Sequence, residues 1–132
     1  MYPKKFITKL VMLGFIIFLL NYLAVQFYWY TSIWYFDIIM HFLGGIWVGF
    51  MIIWFLKIKL ISSKTILQII LGVFLIGVLW EFFEIILNDY TTQNPFNILD
   101  TVSDIFCDLA GGTFATLYFL KKIMSIKENI VQ

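Results

Sequence analysis

The chain has 132 residues, 62% hydrophobic and 20% aromatic with only 13% charged, and a net charge of +1. At a mean hydropathy of +0.95 it lacks the polar surface of a soluble domain, and its charge balance gives no footing for nucleic acid. A single cysteine, Cys107, excludes an internal disulfide and a cysteine-rich metal site.

Lys4, Lys5 and Lys9 precede an apolar run that is too long for a signal-peptide core and is followed by no small-x-small cleavage site. It reads as a retained first span over 10–29, with Asn21 and Gln26 as its strongly polar residues. Tyr28, Trp29, Tyr30, Trp34 and Tyr35 then form the aromatic belt expected at a membrane–water interface. A second span is predicted over 36–56, followed by a short loop with Lys57, Lys59 and Lys64. A third covers 65–87. The next loop, 88–97, holds Asp89, Asn94 and Pro95 and no basic residue, and Asp89 reads as solvated. The fourth span covers 98–120, and Lys121, Lys122 and Lys127 follow it. The fold class is therefore all-α: one transmembrane domain over 1–132, a polytopic integral membrane four-helix bundle.

Every lysine falls at the N-terminus, in the second loop or after the fourth span. The positive-inside rule places both termini in the cytoplasm and the first and third loops outside. The Lys-only, Ile/Phe/Asn-rich usage points to an AT-rich prokaryote, hence a prokaryotic plasma (inner) membrane. Gly45 and Gly49 in the second span, and Gly111 and Ala115 in the fourth, form small-xxx-small pairs that would let these two helices approach closely. Glycine is also frequent in membrane helices for no such reason.

All the carboxylates except Glu128 fall on the side without lysine, and the chain contains no arginine. Residues three or four apart share a helix face. Asp37 and His41 are so spaced, as are Glu81 and Glu84, while Asp100, Asp104 and Asp108 form a stripe about 12 Å long at 1.5 Å per residue. All converge in the outer half of the bilayer. An ionised carboxylate at the membrane centre costs about 2.5–3.5 kcal/mol. A group of them must therefore be held by protons or by a bound cation. Blander readings exist. Asp37 and Asp100 stand where helix caps and first-turn acids stand, and His41 could be a lone polar residue satisfied by a neighbour. Capping does not account for Asp108, Glu81 or Glu84.

Carboxylates with one imidazole suit Mg, Mn, Fe, Ca or Zn. The expected ligands are His41, Glu81, Glu84, Asp104 and Asp108, with Asp37 and Asp100 as supporting or capping residues. The Glu-x-x-His pairs usual in di-metal bundles are missing. The same acids could instead relay protons or bind an organic cation, helped by the Trp80 ring. Without arginine, lipid-phosphate phosphatase signatures are missing. With one histidine, multi-histidine desaturases and two-histidine metalloproteases are excluded. Ser103 and Ser125 have no nucleophile-elbow context.

Asp37-x-x-x-His41 followed by Gly44 and Gly45, then Trp80-Glu81-x-x-Glu84, then Asp100-Thr101-x-Ser103-Asp104 and Asp108-x-x-Gly111, resemble in this order the YjdF-like family of small prokaryotic membrane proteins. There is a looser likeness to VanZ-like membrane proteins. The resemblance runs from about 36 to 112 and implies a site without implying an activity. Three functions fit the residues: a metal-dependent hydrolase or transferase acting on a lipid or envelope substrate, a cation or proton-coupled transporter, and a non-catalytic envelope module binding a cationic ligand or partner helix. The expected partners are the lipid bilayer, a lipid-like or cationic ligand, and further copies of the chain where four helices do not suffice.

Overall fold

The computed structural model describes residues 4–60, 62–91 and 96–131, and their regular structure is entirely helical. Five helices follow one another: α1 (Lys4–Gln26), α2 (Trp29–Ser32), α3 (Phe36–Phe55), α4 (Ser63–Thr91) and α5 (Ile98–Val131). The loop expected over 88–97 is shorter than the sequence suggested, because α4 continues to Thr91. Polar residues beyond an apolar run can extend a helix past its membrane-competent part, so the end of hydrophobicity does not mark the end of the helix. Asn94 and Pro95 lie outside the described residues, as do the side chains of Asp89 and Lys127. The aromatic segment between the first two spans contains a feature the sequence did not announce, the single-turn helix α2.

Among the described residues three helices are long and apolar enough to cross a membrane: α1, α3 and the Ser63–Leu87 part of α4. At 34 residues α5 has the length, but Asp104, Asp108 and the Gly111-Gly112-Thr113 run dilute its apolarity. Its place in the fold explains this. Asp104, Asp108, Gly111, Gly112, Ala115, Thr116 and Phe119 are all buried, one continuous stripe at helical spacing, turned towards α3 and α4 rather than outward. A helix face packed against its neighbours can carry polar and small residues that a lipid-facing one cannot, and the opposite side of α5 exposes Val102, Phe106, Phe114 and Leu117.

The α3–α5 contact is the most extensive in the molecule. It follows from the small residues anticipated on these helices. A Cβ added at Gly45 would run into the backbone carbonyl of Asp108, and one at Gly111 would strike the Phe42 carbonyl. One at Gly49 would lie 2.9 Å from the Ala115 methyl. The two backbones therefore meet directly, and the residue that brings them together on α5 is itself one of the acids. α4 packs against both through a narrow seam, Ile69, Val73, Gly77 and Glu81, spaced four apart and all buried. Leu71, Leu75, Leu79 and Phe82 on its other faces are exposed, a surface suited to lipid.

α1 lies apart from this three-helix core. Among the described residues its backbone approaches α2 and α3 and not α4. The Trp47 indole of α3 donates a 3.0 Å hydrogen bond to the Leu10 carbonyl of α1. Gly14 makes room for that ring, since a Cβ there would sit 2.7 Å from Trp47 Nε1. Two apolar clusters stabilise the ends: Ala24, Phe36 and Met40 where α3 begins, and Ile53, Ile58, Ile69, Val73 and Phe119 towards the end where α3 finishes. The polar residues lie between them.

Candidate functional site

α3 and α5 start, and α4 ends, at the same end of the bundle. This antiparallel arrangement brings residues from three helices to one level. His41 is at the centre and only 5% exposed. Its Nδ1 lies 3.4 Å from Oδ1 and 3.5 Å from Oδ2 of Asp108, so that carboxylate straddles the ring nitrogen. Its Nε2 lies 3.7 Å from Asp37 Oδ1, one turn earlier on α3, and 3.7 Å from Glu81 Oε1 of α4. With Nδ1 protonated and donating to Asp108, the lone pair of Nε2 is directed at the remaining acids.

Two sets of donors converge well enough to hold a metal ion, and His41 belongs to both. Asp37, His41 and Asp104 form one set, and His41, Glu81 and Glu84 the other; within each, the potential ligand atoms all lie within 4.8 Å of one another. Glu84 is held by its neighbour one turn earlier, the Trp80 indole donating to Glu84 Oε1 at 3.0 Å. Asp104 is 3% exposed and Glu81 5%, while Asp37 is only partly buried. The site is thus open at the Asp37 side and closed below.

Glu81 Oε1 is the most informative atom. It is buried, with no hydrogen-bond partner, and is the one side-chain atom of this kind among the described residues. A carboxylate oxygen removed from water and given no donor is costly. Here it faces inward across 3.7 Å to an imidazole nitrogen. Among the described residues the ion pairs of these acids all go to His41, and a single imidazole cannot neutralise Asp37, Glu81, Glu84, Asp104 and Asp108 together. The arrangement is short of positive charge.

Six of the seven residues singled out in the sequence are therefore gathered in one place, five acids around His41. Asp100 is not: it is exposed in the first turn of α5 and belongs to neither donor set. The α5 start is capped instead by Asn97, whose Oδ1 accepts from the Leu99 N–H at 3.2 Å. Two polar contacts escaped sequence reasoning. Trp80 and Glu84 stand four apart, a spacing that could have signalled their hydrogen bond. The other joins Tyr30 of α2 to Asn21 of α1, the hydroxyl donating at 2.7 Å. Burial, with Asp37 and Glu84 nearby, pushes the Tyr30 hydroxyl up to about 12, so it remains a donor at any physiological pH.

Beside the site lies a half-open cavity of about 340 Å³ between α1, α3 and α4. Asp37, His41, Glu84 and Asp108 line it together with Asn21 and Tyr30, and apolar residues such as Ile17, Val48 and Ile76 line the rest.

Among the described residues the regular structure is all helical, with helices apolar and long enough to cross a membrane and a buried histidine–carboxylate cluster whose groups could hold a metal ion. The chain belongs to the family described as Predicted membrane protein (DUF2238), matched over residues 2–123. No curated protein and no solved structure matches it.

Proposed function

We propose that this protein binds one divalent metal ion within the outer half of a prokaryotic plasma membrane and uses it in hydrolysis or group transfer on a lipid or envelope substrate. In this reading α1, α3, α4 and α5 all span, both termini are cytoplasmic, and the chain stands with the YjdF-like proteins; the lysine distribution supports the orientation. The observation that carries the proposal is the buried, unpartnered Glu81 Oε1 turned towards His41. His41 Nε2, Asp37, Glu81, Glu84 and Asp104 are the donors, and Asp108 holds the imidazole through Nδ1, the part a supporting carboxylate plays in many metal sites. This exchanges the parts that spacing alone suggested for Asp37 and Asp108. One imidazole with carboxylates suits Mg, Mn, Fe, Ca or Zn. A bound ion would supply Lewis-acid polarisation of a phosphoryl or carbonyl oxygen.

The transport alternative uses the same acids but needs a polar way out towards the lysine end. Ile53, Ile69, Val73 and Phe119 occupy that path as a buried apolar cluster, which favours a site open on one side. Purified protein in liposomes separates the two readings. Metal-dependent consumption of a phospholipid or phosphoprenol substrate, without uptake of radiolabelled cation, is expected. Cation flux without turnover would overturn the enzymatic reading and establish transport.

A further inference from the structure

We infer that the cavity between α1 and α4 is a lateral seat for one hydrocarbon chain of an outer-leaflet lipid, whose oxygen-bearing head group reaches the His41 site. Only the head-group end of this inference rests on the proposed metal; the chain end rests on the cavity itself.

Three features point to a lipid chain. The first is polarity: the acids and His41, with the hydrogen-bonded Asn21 and Tyr30, make up the polar part of the lining, and the rest of the wall is apolar, matching an amphiphile lying lengthwise. The second is length. Along α3 the lining runs from Asp37 to Val48, about 16 Å at 1.5 Å per residue. A single leaflet contributes about half of a hydrocarbon core of about 30 Å. The lining therefore extends from the acidic end to about mid-membrane, the level at which Trp47 hydrogen-bonds to α1. The third is access. α1 and α4 each pack on α3 but not on each other, so nothing in the backbone bars entry from the side. A volume of about 340 Å³ falls within the ordinary range for small-molecule sites, about 300–1,000 Å³.

Gly44 provides the test. It lines the trough, and a Cβ there would meet only Asp108 Oδ1, at 4.0 Å, which is ordinary contact. A larger side chain at this position starts from the trough lining with no contact at its Cβ tighter than this. The experiment places the full chain in nanodiscs of phosphatidylcholine with a mid-chain diazirine, irradiates, and maps the labelled residues. Labels are expected on Ile17, Val48 and Ile76 in addition to outward-facing Phe82 and Phe106. Gly44→Leu is expected to abolish the trough labels and leave the outward ones unchanged. Ile76→Phe narrows the same space from α4 and should act in the same direction if Gly44→Leu does not fold. Trough residues labelled no more than their surroundings, or labels unaffected by both variants, would overturn the inference. Metal content of the same samples distinguishes the two readings. Labelling without metal leaves the chain seat standing and removes the metal; metal without trough labelling does the reverse.

Discussion

Asp108→Asn is expected to weaken divalent-metal binding by about 10–100-fold, the usual effect of losing a carboxylate that orients a ligand histidine. His41→Ala should weaken it further, because it removes the donor common to both sets of convergent ligands. The two effects differ in kind. Asparagine at 108 keeps the shape of the side chain, and its amide oxygen can still accept from Nδ1, which lies 3.4 Å from the present carboxylate. What is lost is the negative charge that makes Nε2 a better donor and fixes the ring. Alanine at 41 leaves the acids with no imidazole at all. Asp100→Asn serves as the control, since Asp100 is exposed and outside both sets. Equilibrium dialysis of the detergent-solubilised variants against manganese or zinc reads all three. If Asp100→Asn weakens binding as much as Asp108→Asn, the ion responds to diffuse charge and the assigned roles fail.

The largest expected effect on stability comes from Gly45→Ala. The added methyl would meet the Asp108 backbone carbonyl, not the movable tip of a side chain, so relief requires α3 and α5 to separate. Overpacking a close-fitted interior costs about 1–3 kcal/mol, and a backbone-to-backbone obstruction belongs at or above the top of that range. The same separation would move Asp108 away from His41. Gly45→Ala is therefore expected to lose both thermal stability and metal binding. Gly44→Ala, one residue away, meets only Asp108 Oδ1 at 4.0 Å and should be close to neutral in both. Thermal unfolding followed by circular dichroism in detergent compares the pair. Equal melting temperatures would mean that α3 and α5 do not meet as described.

Much of this arrangement could be read from residue spacing. Gly45 and Gly49 against Gly111 and Ala115 announced the α3–α5 contact, because only small residues let two helices meet backbone to backbone. The intervals between Asp37 and His41, Glu81 and Glu84, and Asp104 and Asp108 put each pair on one face. Helical period fixes the face but not the axial reach of the neighbours. Asp100 shares the face of Asp104 yet stands exposed at the helix start. Nor does period say which nitrogen of His41 meets which acid, since that depends on the relative height of three separate helices. The trough was invisible for a related reason: α1 and α4 are both apolar nearly all round, and nothing in such a pattern tells which lipid-facing helices stand apart. The apolar deficit of α5 has the same root, for hydropathy registers composition and not which face of a helix is packed.

The central claim is that the acids around His41 hold a metal ion, and metal content by mass spectrometry on purified, detergent-solubilised protein tests it most directly. The account predicts close to one equivalent of a single divalent ion per chain, removed by chelation, restored on reloading, and absent from an Asp104→Asn/Glu81→Gln variant that remains folded. No ion above background, after incubation with Mg, Mn, Fe, Ca and Zn in turn, would contradict it.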